Sequence, residues 1–174
     1  MVSTLSVPIP VDPPQTLRTP PGMDTAGFDV PTLAEMGYKP PSTPSLYLGG
    51  ETEGLARMRR HLKDKRYICE FEKPKTSPNA LTPSTTVLSP HLKFGCVSSR
   101  RLYHEILGVY SEVRKGGGKH TQPPTSLIGQ MLWREFYYFN AYGVGPVYGQ
   151  MVGNPICTQV DWLTNPEHLR RWEY

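Results

Sequence analysis

Proline placement constrains this chain more than any other feature of its sequence. Ten of the nineteen prolines fall within the first 48 residues, with pairs at Pro13-Pro14, Pro20-Pro21 and Pro40-Pro41. Proline fixes φ and removes an amide donor, so this stretch cannot supply a helix interior or a central strand. With few large apolar residues besides, residues 1–48 read as an extended or disordered linker, or as a free tail. One helical turn over Val30–Gly37, closed by Gly37, is the local element expected within it. Of the 174 residues, about 125 remain to build a core, which is enough for one domain.

The periodicity of that remainder is helical. Leu55, Met58 and Leu62 recur at steps of three and four behind an acidic first turn, which predicts a helix over Gly49–Lys65. Its other face, with Arg57, Arg59, Arg60, Lys63, Lys65 and Arg66, reads as solvated in preference to a DNA-binding surface. Tyr67 to Pro83 reads as a loop. Ser89-Pro90 signals an N-cap followed by a first-turn proline, for a short helix through Leu92 and Phe94 that stops at Gly95. Ser98 or Ser99 caps a longer helix with Leu102, Ile106, Val109 and Val113 on one stripe and Gly116-Gly117-Gly118 at its end. Pro123-Pro124 and Ser126 open another, running to Tyr142, and Pro166 begins a last one. Only Ile156–Val160 looks strand-like. The expected class is all-α.

Formal net charge is +4 and the isoelectric point is about 9.0, which favours an anionic partner without requiring one. The three cysteines, Cys69, Cys96 and Cys157, are widely spaced and lack a metal-binding or redox pattern, so they read as reduced, buried thiols of an intracellular protein. No apolar run approaches the roughly 20 residues that span a bilayer, and no secretory signal opens the chain. A nuclear or cytoplasmic location is expected.

Two constellations carry chemistry. Thr85, Thr86 and Ser89 precede a helix start, where hydroxyls and free amides suit a pyrophosphate; the same Ser89 serves equally as an ordinary N-cap, and the two roles are compatible. On the helix from Ser126, at about 100° per residue, Gln130, Trp133, Arg134 and Tyr137 share one face while Ile128, Leu132, Phe136 and Phe139 lie opposite, as a core face. A planar guanidinium, an amide and an indole together suit a flat ring or a nucleotide base. Trp133 and Tyr137 also fit simple half-buried surface packing. Lys73 and Lys75, on the proline-bounded loop, are within reach of a nucleic-acid phosphate. No catalytic triad, paired-carboxylate site or metal motif is present.

Five blocks stand in order along the chain: Gly49-Gly-Glu-Thr-Glu53, Phe71-Glu-Lys-Pro74, Ser84 to Cys96, Gln122 to Tyr138 and Gly153-Asn-Pro-Ile-Cys157. Through them the chain resembles the photolyase and cryptochrome flavoproteins, specifically the branch of animal-type cryptochromes and (6-4) photolyases. Departures from the family pattern fall at Gly116–Lys119 and at Tyr142–Tyr148. The resemblance implies the first part of a helical FAD-binding domain over residues 49–174, preceded by the Pro-rich interdomain linker 1–48. It implies that Thr86, Val87, Leu88 and Ser89 meet the FAD phosphates and that Gln130 and Arg134 line the flavin cavity. Lys73, Gln130 and Trp133 would face a DNA lesion.

The implied activity is light-dependent DNA repair as in a (6-4) photolyase, with electron transfer from reduced FAD to a flipped-out pyrimidine photoproduct of UV-damaged DNA. Thr85-Thr86-Val87 and Ser126–Gly129 look more like (6-4) photolyases than vertebrate clock repressors. Alternatives are a cryptochrome acting as blue-light photoreceptor or circadian transcription regulator with signalling-protein partners, and an inactive truncated remnant. The family's antenna domain would precede residue 1, and its second FAD-domain half, with the catalytic residues, would follow Tyr174. Enzymatic status is therefore open, no catalytic residue is expected within these 174 residues, and weak or no FAD binding is expected of them alone. The resemblance does not specify an antenna pigment.

Overall fold

A computed structural model describes residues 6–12, 14–16, 20–23, 30–39, 42–43, 45–72, 77, 79–82, 84–161, 163 and 165–173. They form helices α1 (Glu51–Lys63), α2 (Lys65–Cys69), α3 (Ser89–Lys93), α4 (Ser99–Lys115), α5 (Leu127–Val144) and α6 (Pro166–Glu173), with a 3-10 helix at Gly145–Gly149. No strand occurs among the described residues, and the class is all-α. No helix is long and apolar enough to cross a membrane.

Several boundaries differ from expectation. The helix predicted over Gly49–Lys65 breaks at Asp64, whose carboxylate accepts from Tyr67 N at 2.9 Å and caps α2. Tyr67 is thus helical, and the loop predicted from it begins beyond Cys69. Ser89 is the first residue of α3, not its cap; Leu88 holds the cap position and makes no side-chain bond. Ser98 and Ser126 do cap, accepting from Arg101 N at 3.3 Å and Gly129 N at 3.1 Å. The strand-like Ile156–Val160 is coil, because side-chain amides take the backbone groups that a ladder would use. Buried Asn154 donates to Tyr148 O at 2.7 Å and accepts from Ile156 N, while Gln159 donates to Asn154 O and Cys157 O.

The expected turn in the proline-rich region forms at Thr32–Tyr38, where Tyr38 N donates to Leu33 O and Gly37 takes φ 84°. Further back, a ring nitrogen of His104 on α4 lies 3.0 Å from Val7 O.

The core joins Met58 of α1, Ile68 and Cys69 of α2, Leu102, Ile106 and Tyr110 of α4, and Leu127, Ile128 and Met131 of α5. Leu88 and Val97 close it from the segment around α3. Burying each such side chain contributes roughly 1.5–3 kcal/mol. Two sequence readings fail here. Arg57 is not part of a solvated face, since only 12% of its side chain is exposed. Of the thiols Cys69 is buried, Cys96 half-buried and Cys157 exposed.

Only the first turn and a half of α5 enters the core. Leu132, Phe136 and Phe139 are exposed, which overturns the core face expected for them. The cause is a close contact at the helix start. A Cβ on Gly129 would stand 2.2 Å from Pro124 O, so this backbone approach admits glycine alone and fixes which way α5 faces. Gly129→Ala should destabilise by about 1–3 kcal/mol, measured by urea unfolding. Gly108→Ala, in the exposed middle of α4 with nothing within 4 Å, should instead stabilise by about 0.5–1 kcal/mol through helix propensity.

Candidate functional site

The segment from Ser84 to Ser89 is held from behind. Tyr67 donates its hydroxyl to Ser84 O at 3.0 Å, and Thr86 Oγ1 accepts from Leu88 N at 3.4 Å. Leu88, only 2% exposed, is driven into the core. Between these anchors Val87 adopts φ 52°, left-handed backbone that costs a β-branched residue about 1–2 kcal/mol. Such strain survives only where the surroundings impose it. Here Val87 and its neighbours line a cavity while Leu88 stays buried.

That cavity, of about 440 Å³, brings the two predicted constellations together. Thr85, Thr86, Val87, Leu88 and Ser89 line one side, and Gln130 and Arg134 of α5 line the other. Its apolar wall includes Phe71, Leu92, Leu127, Met131 and Tyr138. The Arg134 guanidinium is fixed at this wall: Nη2 donates to Leu92 O at 3.5 Å, the Tyr138 ring lies 4.4 Å beneath, and Glu135 pairs with Nη1. Lys93 adds a second cation 5.5 Å from the same ring.

Not every predicted residue belongs here. Trp133 lines a separate, almost wholly apolar hollow with Pro123, Pro124, Leu132 and Phe136. It meets Phe136 edge-on at 5.6 Å and Tyr137 tilted at 6.2 Å. The single polar-aromatic face expected of α5 is therefore two faces. Lys73 and Lys75 lie outside the described residues. The sequence reading chose Tyr137 and missed Tyr138; the stride of four through Gln130, Arg134 and Tyr138, beside Leu127 and Met131, is the signal that would have found it.

A nucleotide-type cofactor fits these groups. Hydroxyls and amides of the Val87 turn offer donors to phosphate, and guanidinium and amide stand over an apolar floor able to take a flat ring. At five residues, α3 is too short for a full helix dipole, so the phosphate side rests on local donors.

The fold is a helical assembly with a cavity lined by a strained turn and one helix face. Over 177 residues the chain is 47% identical to the (6-4)DNA photolyase of Oryza sativa subsp. japonica, covering 95% of the chain and 31% of that protein. It is 46% identical over 149 residues to the (6-4)DNA photolyase of Arabidopsis thaliana, covering 83% and 26%. It is 41% identical over 173 residues to Cryptochrome-1 of Erithacus rubecula, covering 97% and 27%. No family model matches the chain. The chain belongs to the photolyase/cryptochrome family, in the branch shared by (6-4) photolyases and animal-type cryptochromes, and spans less than a third of the length of these relatives.

Burial pushes the Tyr67 phenol from 10.0 up to about 12. Because the folded value lies above the unfolded one, the stability it contributes is complete below pH 10 and is lost as pH rises toward 12. The urea midpoint should fall across that window, and Tyr67→Phe should flatten the fall relative to wild type.

Proposed function

We propose that this chain forms the phosphate-side turn and one helical wall of the FAD site in a light-driven DNA-repair flavoprotein of the (6-4) photolyase type. The observation that carries the reading is the convergence of Thr85–Ser89 with Gln130 and Arg134 on one cavity. Thr86 and Ser89, with the backbone amides around Val87 and Leu88, hold the FAD phosphates. Gln130 and Arg134 orient the flavin end, Arg134 being preset by Leu92 O and Tyr138. When bound, the flavin supplies light absorption and electron transfer to a pyrimidine photoproduct.

Trp133 has a different task. Outside the cavity and 48% exposed, it packs against a nucleotide flipped out of the duplex, beside the apolar hollow at Pro123 and Pro124. Gln130 stands between the two faces, and Lys73 assists at the lesion phosphate. FAD affinity from these walls alone is weak, since buried contacts on one side of a ligand leave its other side in water. UV-damaged DNA is then the partner, in the nucleus or cytoplasm.

A signalling reading is kept because Cryptochrome-1 of Erithacus rubecula is 41% identical. Light-dependent repair of an oligonucleotide bearing a (6-4) photoproduct separates the two: intact protein that holds FAD and never repairs it would sink the enzyme reading. Arg134→Ala should weaken FAD binding about tenfold or more, read from bound-flavin absorbance. Trp133→Ala should leave flavin content unchanged and weaken lesion-DNA binding by about 1–3 kcal/mol.

A further inference from the structure

A second cavity, of about 310 Å³, is walled by Tyr47, Leu48, Arg57, Val87, His91 and Phe94. It shares the Val87 wall with the flavin-sized pocket, and the function proposed above does not use it. Its polar groups are poorly matched. Arg57 is nearly buried, its Nε carries no hydrogen bond, and its charged partner is Glu53 at 3.5 Å, beyond the roughly 2.7–2.9 Å of a good charge-assisted bond. The guanidinium also lies over the face of Tyr47, 5.6 Å from the ring centre. A guanidinium offers five N–H donors in a planar fork, and the buried Nε donor among them is unmet.

A largely covered cation whose Nε lacks a partner and whose ion pair is long gains from an acceptor brought to it. The remaining walls are aromatic or aliphatic and would desolvate a flat apolar body, and Phe94, 81% exposed, stands where such a body would emerge. We propose that this cavity binds a compact aromatic carboxylate, its carboxylate on Arg57 in competition with Glu53 and its ring between Val87, Leu48 and Phe94.

Benzoate is the probe, titrated into the intact protein and followed by calorimetry. Saturable one-to-one binding is expected, weakened roughly tenfold or more by Arg57→Met. Acetate, which lacks the ring, and benzyl alcohol, which lacks the charge, should each bind at least about tenfold more weakly than benzoate. Phe94→Ala, at an exposed position that leaves the fold intact, should weaken benzoate severalfold and so keeps the test decisive if Arg57→Met unfolds. Absence of saturable binding, benzoate affinity equal in wild type and both variants, or acetate binding as tightly as benzoate would each overturn the proposal.

Discussion

The contact between Gly129 and the Pro124 backbone governs the arrangement of everything downstream. It brings the first turn of α5 against the Pro123-Pro124 segment, with the fully buried Ser126 capping that turn and Leu127, Ile128 and Met131 sinking into the core. A helix is a rigid rod at this scale, so fixing one turn fixes the direction of every later side chain. Gln130, Arg134 and Tyr138 are thereby carried to one cavity, and Trp133 and Phe136 to another.

The opposite wall is set by a different balance. Leu88 gains by burial what Val87 loses in backbone strain, and the two residues are adjacent, so the hydrophobic contribution of one sustains the conformation of the other. Tyr67 ties the start of the same segment to α2 through Ser84 O. Val87 walls both the flavin-sized cavity and the one beside Arg57, so a change in this turn is felt in two places.

Much of this was legible in the sequence. Stripes such as Leu102–Ile106 and caps such as Ser98 and Ser126 are local signals, and the helices they announce form where expected. The pairing of Thr86–Ser89 with Gln130 and Arg134 was legible too, through the family blocks and the chemistry of the residues. Less legible were features whose cause lies elsewhere in the chain. Asp64 breaks a continuous helical pattern by capping α2, and Arg57 sits in a run of charges yet is largely covered, its guanidinium over the Tyr47 ring. Neither outcome follows from periodicity, because each depends on a group supplied by another segment.

The sequence by itself determined the all-α class, the extent of most helices and the family, since these rest on local propensity, capping and motif order. Tertiary structure alone decided how α5 is turned, separating Trp133 from Arg134 and exposing Leu132, Phe136 and Phe139. A helical wheel gives relative angles between residues but no absolute direction. That direction came from a backbone contact at one glycine, which only the packed chain contains.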